Sequence, residues 1–222
     1  KLTTAWFSLE MSKTEVFDRM AAALARVPLH AINAGDLDGD AWARIVQACG
    51  ETESAPLHID DSTTITVADI RARARQLHRQ HELKLIVVDY IQLLTPPKDS
   101  QNRQQAVGAM TRALKLLAGE LQVPVVIAAQ LNRQSEQRAD KRPMLSDLRE
   151  SGDLENHSDV VMLVHRDDYY DPESPRAGEA DIIVAKNRRG PKDTITVASQ
   201  LHFARFADLA IDAPPYRCIT LY

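Results

Sequence analysis

Short apolar runs along this chain are separated by longer stretches in which apolar residues return at helical spacing, and the two rhythms alternate through its first two-thirds. Residues 3–9, rich in β-branched and aromatic side chains, predict a strand. Ser12 and Glu15 have capping-box spacing and open an Ala-, Leu- and Met-rich helix to about Arg26, with Pro28 as its stop. A second helix is expected from Asp40 to about Thr52, then a short strand, "LHID". Thr66 and Asp69 repeat the capping-box spacing at the head of a helix through "VADIRARARQLHRQ". "KLIVVD" is the next strand. Val107, Met110, Leu114, Leu117 and Leu121 then recur on one helical face. "VPVVIAAQ" predicts a continuous buried strand running to Gln130. Beyond a long polar stretch, "DVVMLVHR" and "ADIIVAKN" predict two further strands, and "TITVAS" with "LHFARF" a closing hairpin. Strands alternating with helices imply an α/β fold built on a largely parallel sheet.

The run Leu85, Ile86, Val87, Val88 ends on an aspartate, Asp89. A continuous apolar run argues for a strand covered on both faces, and a carboxylate beside it is costly unless compensated. In open parallel sheets ligands bind at the carboxyl ends of such strands. Asp89 is therefore either a cap for the following segment or a metal-directed acid at a crevice. Glu10 follows the first strand and Gln130 ends the strand after that of Asp89, so the three would share one sheet edge. Singly, Glu10 can be a helix-dipole partner and Gln130 a plain strand terminus. Together they match the parts of a nucleotide site: an acid for Mg²⁺, a glutamate to polarise water and a glutamine to sense the terminal phosphate.

Composition narrows the class without naming it. The 222 residues are 44% hydrophobic and 26% charged, with a net charge of −4. That is ordinary for a globular chain and leaves room only for a local basic channel. Cys49 and Cys218 make no CxxC pattern, which fits a reducing compartment. His78 and His81 lie on a charged helical face, where a metal site is the weaker reading. No apolar run approaches a bilayer span. No G-x-x-x-x-G-K-[ST] occurs, and none of the eight glycines precedes a lysine. Together with the abrupt opening "KLTTAWFSLEM", this suggests a chain truncated ahead of its phosphate loop and inactive alone.

Two basic stretches remain. "KNRRGPK" holds four positive charges and no acid, either a solvated turn or a phosphate-directed one. "RQSEQRADKRPMLSDLR" carries five basic and three acidic residues, which composition alone reads as a charge-balanced surface loop.

"FSLEMS", "LIVVDYIQLL", "VPVVIAAQLNR", "QRADKRPMLSDLRESGDLENHSDVVMLVHRDDYY" and "IIVAKNRRGP" occur in that order. In them the chain resembles the C-terminal, RecA-like ATPase domain of the DnaB family of replicative DNA helicases, over roughly residues 5–206. The resemblance implies a RecA-like P-loop NTPase core over 1–206, with an irregular tail at 207–222. It implies ATP and Mg²⁺ as cofactors, single-stranded DNA as track, a homo-hexamer, a primase and a helicase loader as partners, and the cytoplasm as location. By matching positions, Glu10 would activate water, Asp89 would serve Mg²⁺ (through water), and Gln130 would couple the terminal phosphate to the DNA loops. Lys186 and Arg188 would act in trans on a neighbouring subunit's nucleotide. Arg149, Glu150 and Gly152 would hold DNA by its backbone. "QLHFARF" departs from the family's usual Gly-Trp character, and the tail is unfamiliar. Alternatives are a non-catalytic fragment or degenerate paralogue, and a recombinase- or clock-type ATPase on the same core.

Overall fold

The computed structural model describes residues 1–98, 100, 102–132, 136–151 and 154–209, except for the side chains of 149–151. The parallel half of the molecule uses four strands: β1 (Thr4–Ser8), β2 (Leu57–Asp60), β3 (Leu85–Asp89) and β4 (Val125–Ile127). They lie side by side in the order β2-β1-β3-β4, every pair parallel. Four more strands, β5 (Val160–His165), β6 (Glu179–Asn187), β7 (Thr194–Gln200) and β8 (Arg205–Asp208), form an antiparallel sheet in sequential order. The closing hairpin is β7 with β8, the outer half of that second sheet, but its second strand starts late: Leu201–Phe203 of the expected "LHFARF" form a 3-10 turn, and the strand is Arg205–Asp208. Strand β8 continues two residues past the expected domain boundary, and residues 210–222 of the expected tail lie outside the described residues.

Both capping boxes form. The Ser12 hydroxyl accepts the Glu15 amide at the head of α1 (Lys13–Ala25), and Glu15 reaches back to the Ser12 amide. A helix missed in the sequence, α2 (Leu29–Ala34), begins after Pro28 and closes at Gly35, whose φ of 70° is the left-handed turn that glycine adopts freely. Six residues are too few to show a helical period. Next come α3 (Gly39–Glu53), and α4 (Val67–His81) with its Thr66–Asp69 box. Then α5 (Arg103–Leu121) and the short α6 (Leu154–His157) complete the helices, with a 3-10 segment over Leu145–Ser151 just ahead of α6.

The main core lies between one face of the parallel sheet and helices α4 and α5. Ala5, Phe7, Ile86 and Val88 meet Ile70, Ala74, Met110, Leu114 and Leu117 there. A smaller cluster, with Ala25, Val27, Ala41, Ile45 and Ala48, closes α1 against α3. Burial corrects two sequence expectations. In β3 only Ile86 and Val88 are fully buried, while Leu85 and Val87 are half-buried, so the second face is only partly covered. Strand β4 stops at Ile127 with Val126 exposed, three residues short of Gln130. Among the described residues no helix is long and apolar enough to cross a membrane.

Leu114 is fully buried where α5 meets the sheet. Leu114→Ala should cost about 2–5 kcal/mol of stability, read as a lowered denaturation midpoint at unchanged slope.

Candidate active site

Parallel pairing brings the strand ends together. Ser8 is in register with Asp89, and the Leu9 amide donates to the Asp89 carbonyl at 2.8 Å. Past this bond the chain must turn into α1. The Ser8 hydroxyl donates to the Met11 carbonyl at 2.7 Å, leaving Glu10 exposed in that turn. On the other side of β3, the Ala128 amide donates to the Val88 carbonyl at 2.9 Å and the Ile91 amide to the Ala128 carbonyl at 3.1 Å. These bonds keep the chain beside β3 after β4 has formally ended. Gln92 then grips the Gln130 backbone from both sides: its Nε2 donates to the Gln130 carbonyl at 3.2 Å, and its Oε1 accepts the Gln130 amide at 3.3 Å. Glu10, Asp89 and Gln130 therefore lie along the carboxyl edge of β1, β3 and β4, as their sequence positions predicted.

The electrostatics of that edge are uncompensated. Burial pushes the Asp89 carboxyl above its usual range, and the Glu10 carboxylate pushes it further. No described side chain forms an ion pair with it. A cation beside Asp89 would offset both terms, so the residues present fit Mg²⁺, which takes one or two protein carboxylates and draws its other oxygens from water and phosphate. Among the described residues no group of three or more His, Cys, Asp or Glu forms a metal cage.

Lys186 and Arg188 stand elsewhere, at the end of β6 in the antiparallel sheet. Lys186 Nζ donates to the Glu155 carbonyl; Arg188 donates to the Asn156 carbonyl at 2.9 Å and pairs with Asp159 at 3.3 Å. The turn after them is organised by Asn187, whose amide donates to the Pro191 carbonyl at 3.3 Å. A Cβ at Gly190 would approach that amide to 2.6 Å. Within one chain these two cations are thus engaged apart from the three strand-end residues. Arg149 and Glu150 belong to the 3-10 segment, with side chains outside the described residues; Gly152 lies outside them altogether.

Sequence reasoning missed the acids that hold arginines. Asp181, almost fully buried on β6, accepts both terminal nitrogens of Arg176 (3.0 and 2.7 Å), Arg142 at 2.9 Å and the Thr196 hydroxyl at 2.8 Å. Asp147, also buried, takes a two-pronged bond from Arg138 at 2.7 and 2.9 Å. The signal was present for Asp181: it opens the apolar run "DIIVA" as Asp89 closes another.

Known proteins resemble the chain over nearly its whole length. The family model described as the DnaB-like helicase C terminal domain matches residues 1–208. The replicative DNA helicase DnaB of Mycobacterium leprae is 51% identical over 210 residues, 95% of this chain and 35% of that protein. That of Geobacillus stearothermophilus is 42% identical over 206 residues, 92% of this chain and 45% of that protein. The chain thus spans less than half the length of these relatives. A solved DnaB-like replicative helicase, described with its interactions with primase, superimposes with a TM-score of 0.90 at 37% identity, covering 94% of this chain and 51% of that one. The RadB recombinase, at 13% identity and a TM-score of 0.50 over 94% of this chain and 79% of its own, shares the fold.

A raised Asp89 pKa means that the folded state holds this proton more tightly than the unfolded state, so stability falls as pH rises from the ordinary value of 3.8 through the folded one. Asp89→Asn should remove that slope and raise the melting temperature of the metal-free chain at pH 7 more than at pH 4. Paired thermal melts of wild type and variant at the two pH values check it.

Proposed function

The chain belongs to the DnaB-like helicase C-terminal domain family, and from that premise we propose that it is the motor domain of a hexameric replicative helicase, coupling ATP hydrolysis to movement along single-stranded DNA and to duplex unwinding. The observation that carries this reading is the alignment of Glu10, Asp89 and Gln130 at one edge of three parallel strands. Glu10, exposed at the tip of its turn, takes the proton of the attacking water. Asp89 would hold Mg²⁺ through water, and the ion would supply positive charge against the phosphates. Gln130, its backbone fixed by Gln92, presents its side chain to the terminal phosphate. Lys186 and Arg188, far along the chain in the other sheet, serve the nucleotide of a neighbouring subunit, where an arginine stabilises charge in the transition state. Arg149 pairs with DNA phosphate, while Glu150 and Gly152 contribute backbone. A primase and a loader are the expected partners, in the cytoplasm. The motor unit, expected over residues 1–206, takes in the whole of β8 to Asp208, with the tail after it.

A second reading has its own observation. The 222 residues contain no G-x-x-x-x-G-K-[ST], the loop whose backbone amides and lysine cradle β- and γ-phosphate. A chain with only these residues would turn over ATP poorly or not at all, and would serve as a non-catalytic module. A recombinase rests on shared fold alone and is the weakest of the three; ring assembly against filament growth on DNA separates it.

In the natural full-length chain, Glu10→Gln should lower steady-state hydrolysis by about 10²–10⁴-fold while equilibrium ATP binding persists. Loss of binding together with hydrolysis would instead mark Glu10 as a structural turn residue.

The two arginines should fail differently. Arg149→Ala should weaken single-strand affinity for every sequence and make its salt dependence shallower, by about one counterion for each DNA phosphate no longer neutralised. Arg188→Ala should spare that affinity and cut DNA-stimulated hydrolysis. Anisotropy titrations across a salt series, beside stimulated ATPase assays, read both. If Arg188→Ala abolished DNA binding while hydrolysis persisted, "KNRRGPK" would be a DNA-contacting turn.

A further inference from the structure

The polar segment ahead of Arg149 is rich in cations, yet its Arg138 and Arg142 are bonded to buried acids of the protein itself. Arg138 places both terminal nitrogens on the Asp147 carboxylate, and one of them also donates to the Arg142 carbonyl at 2.8 Å. Arg142 in turn places its guanidinium on buried Asp181 of β6. Lys141 lies 4.9 Å over the ring of Tyr170. Asp147 accepts a further bond, at 2.8 Å, from the Met144 amide. These bonds close residues 138–147 into one piece, because a planar guanidinium fork held at two points fixes orientation as well as distance. Leu148, the next residue, is packed in the main core.

That piece is joined to the candidate active site by a backbone bond. The Asn132 amide, two residues beyond Gln130, donates to the Asp147 carbonyl at 3.0 Å. Asp147 is also two residues ahead of Arg149 in the same 3-10 segment. One residue therefore receives the strand-end segment through its backbone, the arginine clamp through its side chain, and leads directly into the DNA-facing turn. The Arg138 bond holds its carboxyl below the usual carboxylate range, so the clamp stays charged at neutral pH.

We propose that Asp147, clamped by Arg138, is a positioning residue that carries displacements at Gln130 to the turn bearing Arg149, and that Arg138 and Arg142 are anchors of this piece, not DNA ligands. The inference rests on the motor reading above and adds to it the residues that join its two ends. Without the clamp, a shift of the Asn132 amide is absorbed by loosening of the segment. With it, the turn follows.

The sign of one measurement separates this role from simple electrostatics. Were Asp147 only an acid near a DNA path, neutralising it would strengthen DNA binding. As a positioning residue, its neutralisation weakens it. In the natural full-length chain, fluorescence anisotropy with labelled oligo-dT is run with a non-hydrolysable ATP analogue and with ADP, beside basal hydrolysis without DNA. For Asp147→Asn we expect single-strand affinity to fall by about tenfold, the affinity ratio between the two nucleotides to approach one, and basal hydrolysis to stay within about twofold. Arg138→Lys keeps the charge but loses the fork, and should show the same collapse to a smaller degree. If Asp147→Asn fails to assemble, Arg138→Lys decides by the same two readouts. Unchanged or tighter binding with the ratio preserved overturns the positioning role alone. A wild type without nucleotide-dependent binding, or one indifferent to Arg149→Ala, overturns the motor reading and this inference with it.

Discussion

The backbone bond from Leu9 to the Asp89 carbonyl is the constraint from which the rest of the site follows. It fixes the last step of the β1–β3 register, and in a parallel pair such a bond sets where both chains leave the sheet. One chain leaves as the Glu10 turn, whose geometry is then dictated by the Ser8 bond and the Ser12 capping box. The other leaves as Tyr90 and a 3-10 turn over Ile91–Leu93, whose Gln92 holds Gln130. A shift of this register by one residue would exchange the buried and half-buried faces of β3, replacing Ile86 and Val88 in the core with Leu85, Val87 and the Asp89 carboxylate. The core and the site are therefore specified by the same alignment.

Four acids illustrate how environment divides structural from chemical roles. Asp147, Asp159 and Asp181 each face cations, and in each case a bond to Arg or Lys holds the carboxyl below its usual range. Asp147 and Asp181 spend their charges inside the fold and Asp159 at its surface. Asp89 is half-buried, yet its charged neighbour is another carboxylate, and its pKa moves up. A carboxylate raised by burial and like charge lowers stability on its own; its natural complement is a cation supplied from outside. The contrast among these acids supports a chemical role for Asp89 without reference to any relative.

Much of this was legible in the sequence because the signals were local and repeated. Capping boxes at Ser12 and Thr66 placed two helix starts, and the end of the "LIVVD" run placed the Asp89 edge. What escaped was set by pairing between distant segments. Strand β4 looked continuous to Gln130 because "VPVVIAA" is apolar throughout, but the ladder with β3 ends at Ile127 and only the Ala128 bonds carry the chain further. The size of the antiparallel sheet could not be read from strand-like runs alone, since alternation does not say which neighbour a strand will take. The arginine anchors were hidden for the same reason: Arg142 and Asp181 are 39 residues apart, and nothing in the composition of either segment announces the other.

Strand β6 makes the two basic stretches a single mechanical problem. At one end its Asp181 binds Arg142 of the segment that precedes Arg149. At the other, Lys186 and Arg188 hold carbonyls of α6, the helix that follows the same segment. The segment bearing Arg149 is thus flanked on both sides by bonds to one strand. Arg188 is tied to α6 through the Asn156 carbonyl and to Asp159 beyond it, Lys186 through the Glu155 carbonyl, and Asp181 of the same strand to the anchored segment. The two basic stretches, far apart in sequence, are thus bonded to opposite ends of one strand.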